Sequence, residues 1–416
     1  MIRLVLKNLW TRKKRNGWML AELLAVSIIL WHFVDPLVVQ TYVNCLPDGY
    51  EKDNLYRISF STYPQSSSLY NEEDDNAESR SMNKWRFLNQ VRQYPGVESC
   101  TFQIDGIGPG ASSWTRGGYD FKDSVMTALF EIRYVPQSDY FKTYRFKSAG
   151  GLSIAEMDSL GYQEQRIMTE GAFDDGPVLG RSYVDVSGNI KTRIIATVQP
   201  IKVRPEQVPQ QVMFRQAYPE KSDIIFRLRE GINPEDFLSN FRPWAQKTLS
   251  AGNFFVVDVT SYGDYVKRTR VWMDYDYRAN MLLMSFFLFC MFFGVSGAFW
   301  MQTRSRREEI GIMKSFGATS VGVIRLFLAE GFVLATAAVL AGSLIYLQYA
   351  IRKGLFMPEA LSVGLSSHYW YEDFNIHFAV IMGLVWLFTI LVVSIGIYVP
   401  ARGLSRISPT EALHDE

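Results

Sequence analysis

ANMLLMSFFLFCMFFGVSGAFWMQT, residues 279–303, runs from Arg278 to Arg304 with no charge in 25 residues. An α-helix rises about 1.5 Å per residue, so roughly 20 apolar residues cross the ~30 Å hydrocarbon core of a bilayer. A helix buried in a water-soluble core rarely stays uncharged for that length. Two more stretches read the same way. Arg325 and Arg352 bracket 26 residues whose only charge is Glu330, and Asp373 and Arg402 bracket 28 that hold a single histidine, His377. A fourth, GWMLAELLAVSIILWHFVDPLVVQTYV (17–43), carries Glu22, His32 and Asp35, placed near its ends where such side chains reach the interface. A cleaved signal peptide is the competing reading of this stretch. No A-x-A-like site follows it, and Asn44 before Cys45 makes a poor lipoprotein-type signal. Four spans are expected, at 17–40, 279–303, 326–350 and 376–400.

Whole-chain averages hide this pattern. The 416 residues are 48% hydrophobic and 20% charged, with a net charge of +1 and a mean hydropathy of −0.02. The near-neutral balance excludes a nucleic-acid binder held by bulk positive charge. Three cysteines (Cys45, Cys100 and Cys290) exclude a disulfide scaffold and a four-cysteine zinc site.

Lysine and arginine orient the spans. Residues 1–16 hold Arg3, Lys7, Arg12, Lys13, Lys14 and Arg15 with no acid, and 304–325 holds Arg304, Arg306, Arg307, Lys314 and Arg325. Both segments are expected in the cytoplasm, as is the tail 401–416 with Arg402 and Arg406. The short loop 351–375 then faces outside, and so does the long segment 41–278, which has 28 Lys+Arg against 31 Asp+Glu.

The 238 residues of 41–278 have an α+β texture. LYRISF (55–60) alternates like a strand, and the polar run after it reads as a solvated loop without EF-hand spacing. MNKWRFLNQVRQY reads as a helix stopped by Pro95-Gly96, with the strand VESCTFQI after it. SYVDVSGNIKTRIIATV reads as a hairpin turning at Ser187-Gly188-Asn189. DIIFRL is a strand. Asn233, Pro234, Glu235 and Asp236 form a helix start, with Asn at the N-cap and Pro at N1, and Phe237, Phe241 and Trp244 share a face of that helix. NFFVVDVTSY is a final strand, and YVKRTRVWMDYDYR leads into the second span as a continuous helix.

None of the four histidines (His32, His368, His377 and His414) lies in 41–278, which excludes a Ser-His-Asp or Cys-His machine and a His-ligated zinc protease there. Ser81 and Lys84 match S-x-x-K without its companion motifs, so chance is the better reading. Residues 105–111 satisfy G-x-G-x-x-A after a strand, but SSWTRGGYDF opens no helix, and a tight loop is the preferred reading. A disulfide between Cys45 and Cys100 stays open. Tyr134, Tyr140, Phe141, Tyr144 and Phe146 fit a binding cleft or a packed core, and the core is favoured.

In 304–331, Ile310, Met313 and Phe316 line one helical face, Gly317 suits a helix C-terminus, and Thr319 or Ser320 could cap the next helix. The pattern is a short amphipathic helix, a glycine turn and a membrane helix. From the residues alone, it either lies on the membrane surface or docks into a partner.

RREEIGIMKSFGAT (306–319), followed by an apolar helix with Glu330-Gly331, resembles the signature of FtsX/MacB-like ABC transporter permeases. VPARGLSRISPTEALHDE (399–416) resembles that family's ending, and LKNLWTRKKRNGW (6–18) its basic leading helix. The domain order matches as well, and the large external domain favours the MacB-like or lipoprotein-release branch. The resemblance implies a bacterial inner-membrane protein of four transmembrane helices, with a MacB-like periplasmic core domain of α+β type inserted between the first two. It implies a non-catalytic subunit with no cofactor of its own. MacB carries its ATPase on the same chain, but G-x-x-x-x-G-K-[ST] and an LSGGQ-like signature are absent here. ATP is therefore expected on a separate cytoplasmic ATPase, working by mechanotransmission on a pair of permeases, homo- or heterodimeric. Membrane lipid and a periplasmic adaptor or substrate protein are further implied partners. ATPase coupling is expected at Arg307, Glu308, Glu309, Ile310, Lys314 and Gly317.

Gly331, Ala335, Ala338 and Gly342 put small residues along the third span, for packing within one chain or at a dimer seam. Glu22 and Glu330 are intramembrane acids, for which a structural or snorkelling role is favoured. The leading reading is export, or handling of a substrate outside the membrane. The alternatives are an FtsX-like regulator of an external hydrolase and a sensor without an ATPase, and a membrane enzyme is the poorest reading.

Overall fold

The computed structural model describes residues 11, 13–110, 115–121, 126–162, 166–171, 176–185, 191–269, 271–304, 307–358 and 369–405. The chain divides into two units, one built on four long helices and one on residues 42–272.

Helix α1 (Lys13–Cys45) runs without interruption through Pro36. The unit of residues 42–272 follows. Strand β1 (Leu55–Thr62) precedes α2 (Ala77–Gln93), which Asn76 caps by accepting from Ser79 N and which ends before Gly96 at φ +95°. Next come β2 (Val97–Ile104), β3 (Thr115–Asp120), β4 (Met126–Tyr134), α3 (Tyr140–Thr143), β5 (Ser148–Gly150) and α4 (Ile154–Ser159). Then follow β6 (Arg166–Thr169), β7 (Ser182–Asp185), β8 (Lys191–Val198), β9 (Val212–Gln216) and β10 (Ser222–Leu228). Helix α5 (Pro234–Thr248) starts as its sequence directs, Asn233 accepting from Glu235 N at 2.9 Å. Strand β11 (Phe254–Ser261) and α6 (Tyr262–Thr269) close the unit.

Two sheets result. The first has the order β11-β1-β10-β2, antiparallel throughout. Phe87, Leu88 and Val91 of α2, with Phe237, Phe241 and Ala245 of α5, bury against its apolar residues. The second has the order β5-β8-β6-β9-β4-β3-β7, and β7 also pairs with β8. Six strands therefore close into a ring, which removes unpaired edges. The expected hairpin is β7–β8, and its turn at Ser187-Gly188-Asn189 lies outside the described residues. Tyr134, Tyr140, Phe141, Tyr144 and Phe146 are all buried in one cluster with Phe214 and Tyr262, so they are core. The glycine string after β2 is a tight turn through Asp105 (φ +48°) and Gly106 (φ +69°), closed by Ile107 N on Ile104 O at 2.7 Å. Cys45 and Cys100 are free thiols, the first exposed and the second buried, which settles the open disulfide question.

Two buried cations serve the main chain. Arg227 donates to the carbonyls of Glu51, Asp53 and Thr143 at 2.7–2.8 Å. Lys202 Nζ donates to Val43 O at 2.8 Å, in the last turn of α1, where helix carbonyls lack intrahelical partners.

The helical unit continues with α7 (Val271–Arg304), α8 (Arg307–Ser315), α9 (Ser320–Lys353) and α10 (Phe374–Ser405). Residue 270, between α6 and α7, lies outside the described residues. Four of the described helices are long and apolar enough to cross a membrane: Gly17–Cys45, Tyr275–Ala298, Ser320–Lys353 and Phe374–Gly403. Half of the apolar window of α9 is buried against 11% for α7, so α9 is the most enclosed of the four. Gly294 of α7 faces Glu22 of α1, and Gly396 of α10 faces Ser296 of α7, where a Cβ on the glycine would press against the serine Oγ. Trp31 stacks between Tyr346 and Phe378, with centroids 4.8 and 4.7 Å away, and its Nε1 donates to Ser343 Oγ at 3.0 Å.

Candidate functional site: the α8–α9 loop and the helix bundle

The segment that the sequence marks for coupling is α8, a turn, and the start of α9. Gly317 takes φ +89°, donates to Lys314 O at 2.9 Å, and is followed by Ala318 donating to Met313 O at 3.0 Å. This is a Schellman C-cap, which favours glycine because a Cβ is disfavoured at that φ. Thr319, not Ser320, caps α9, accepting from Gly322 N at 3.1 Å. Two caps therefore fix the angle between the short helix and the span.

Arg307, Glu308 and Glu309 form the first turn of α8, and their side chains lie outside the described residues, as does Arg306. Ile310 is 3% exposed and joins the core of the helical unit, with Met313 packed beside it. Lys314 is half-buried, and Gly317 is exposed. Phe316 departs from the expected common face: it is 88% exposed, with Ile312 at 48%. The reason is position. Phe316 sits past the last residue of α8, at the C-cap, where the chain turns away from the bundle. Ile310 and Met313 anchor the helix, and Ile312 and Phe316 leave an apolar knob outside.

The small residues of α9 face inward. A Cβ on Gly331 would strike Ile397 of α10, one on Gly342 would strike Ser27 of α1, and Ala335 and Ala338 are fully buried. Trp386 Nε1 adds a bond to Thr336 Oγ1 at 3.1 Å. Glu330 is buried within the unit and does not reach for an interface.

Asp35 corrects an expectation in the same way. It does not extend to the interface: it is 1% exposed and bound to fully buried His377. Asp35 Oδ1 lies 2.7 Å from His377 Nε2, and Asp35 Oδ2 accepts from Phe356 N at 2.9 Å. His377 Nδ1 lies 2.9 Å from Tyr371 O, and a carbonyl only accepts, so Nδ1 carries a proton. Nε2 then faces a carboxylate oxygen, and the contact needs one more proton between them. It ties α1, the chain after α9 and the start of α10. Sequence reading missed it, and the one signal available was a lone histidine and a lone aspartate in otherwise uncharged spans.

This geometry defines a membrane protein: four long apolar helices with an α+β domain inserted between the first and second. Residues 281–409 match the family model described as FtsX-like permease C-terminal. That part of the chain is similar to the C-terminal region of FtsX-like permeases, as its loop signature implies. No curated protein matches the chain. Among solved structures it is similar to the periplasmic region of MacB from Actinobacillus actinomycetemcomitans, at 15% identity and TM-score 0.32, over 53% of this chain and 94% of that one. It is also similar to a domain of a putative permease protein from Porphyromonas gingivalis, at 12% identity and TM-score 0.32, over 52% of this chain and 93% of that one.

Proposed function

We propose that the chain couples ATP hydrolysis by a separate cytoplasmic ATPase to movements of its external domain, for export or handling of a substrate outside the membrane. A pair of such permeases works with the ATPase, in a bacterial inner membrane, with both termini of each chain cytoplasmic. The observation that carries this reading is the α8 knob. An exposed phenylalanine and isoleucine, on a helix anchored by Ile310 and held at a fixed angle by two caps, suit a partner's apolar groove. A lid lying on lipid would have no need of the rigid C-cap. ATP binds the partner, and this chain holds no cofactor. Coupling involves Arg307, Glu308, Glu309, Ile310, Lys314 and Gly317 as the loop, with Phe316 as its contact.

The test is affinity purification of the full chain from its native membrane with assay of the copurifying ATPase. A stoichiometric nucleotide-binding partner is expected. Phe316→Asp should lower its recovery at least tenfold and abolish stimulation of hydrolysis. An unchanged yield and rate for both Phe316→Asp and the double charge reversal Glu309→Arg/Lys314→Glu would sink the assignment.

A further inference from the structure

The lysine of the S-x-x-K string occupies an unusual place in the external domain. Lys84, on α2, is 1% exposed. Its Nζ stands 3.7 Å from the centroid of the Phe60 ring and 4.2 Å from that of Phe254. The ammonium thus lies over two aromatic faces. Asp223 acts on it through space. That carboxylate is already engaged, Oδ2 accepting from Arg57 Nε at 2.9 Å and Oδ1 from Phe60 N at 3.0 Å. Burial outweighs the attraction of Asp223 and pulls the ammonium down to about 7.

Lys84, Phe60, Phe254, Arg57 and Asp223 all line a cleft of about 540 Å³, within the size range of small-molecule sites. Its basic lining is Arg57, Arg80, Lys84 and Lys221, and its acidic lining is Asp105, Glu220 and Asp223. With Lys84 protonated, positive groups outnumber negative by one; with it neutral, the lining balances. A single negative charge arriving together with a proton would leave the cleft balanced and give the ammonium an acceptor. Ser81 is not among the lining residues.

We propose that this cleft is a binding site for a small anionic group, a carboxylate or a phosphoryl group, seated on Lys84 beside Arg57. The site is independent of the ATPase reading. An anion favours the charged form of Lys84, so at pH 8 each binding event draws in most of a proton.

Calorimetry on the full chain in lipid nanodiscs at pH 8 tests this, with sodium acetate and inorganic phosphate as separate probes, in two buffers of unequal ionisation enthalpy. Saturable binding is expected, with a heat that differs between buffers as uptake of nearly one proton requires. Binding of acetate alone identifies a carboxylate ligand and binding of phosphate alone a phosphoryl group. Lys84→Met should weaken binding at least tenfold. Lys84→Arg, whose charge does not titrate, should bind acetate, itself fully ionised at pH 8, with no buffer dependence. Binding of neither probe, or equal binding by wild type and Lys84→Met, overturns the proposal. Should Lys84→Met fail to fold by circular dichroism, the wild type decides: a heat independent of buffer overturns the site.

Discussion

Asp35 shows how much one side chain inside a membrane can organise. One carboxylate oxygen meets His377 and the other meets the Phe356 amide. Removing one partner strands the other in an apolar site, which typically costs about 3–5 kcal/mol. Asp35→Ala should therefore lower the midpoint of thermal helix loss in nanodiscs markedly. His377→Ala in that background should add much less than it costs alone, because the two act as a unit. Additive losses would show that the pair is uncoupled. Neither residue was legible as a partner of the other. They lie 342 positions apart, no local period links them, and each alone reads as a group near a span end. Gly317 and Asn233 were legible because a cap is a local event, complete within a few residues. Phe316 was misread because α8 ends one residue before it, and helical periodicity stops with the helix.

At the level of elements, the spans announced themselves through the absence of charge, a signal that survives any tertiary context. The strands with alternating residues were equally plain. The parallel pairings β4–β9 and β6–β8 were not, since a strand's pattern does not name its neighbour. The small-residue stripe of α9 was half legible. Its spacing told of close approach, but it meets α10 at Gly331 and α1 at Gly342, which no pattern could assign. The stripe makes a direct prediction. Ala338 is fully buried and its carbonyl lies 3.5 Å from Ser27 Oγ. Ala338→Leu should overpack this contact and cost about 1–3 kcal/mol. Leu282→Ala, on the exposed side of α7, should change stability by less than about 0.5 kcal/mol. Equal effects of the two in a thermal melt would contradict the inward placement of the stripe.

For the whole molecule, orientation is open to a chemical test. Cys45 is exposed, while Cys100 is buried with its thiol pushed up to about 12, which keeps it inert near neutral pH. In a Cys290→Ser background, a membrane-impermeant maleimide should label Cys45 in spheroplasts with the inner membrane intact. Ser320→Cys, at the start of α9, should react only after permeabilisation. The reverse pattern would invert the proposed topology. The hydrophobic cores carry a further consequence. The cluster of the four long helices shares no residue with the clusters of the α+β domain. Urea weakens burial from water, yet has little purchase on a helix whose surroundings are lipid. The chain should therefore denature by halves, its β-structure melting out in urea while four helices stay threaded through the bilayer. A single stability value cannot describe it, and the sheet-bearing half should be able to refold repeatedly on a membrane anchor that never lets go.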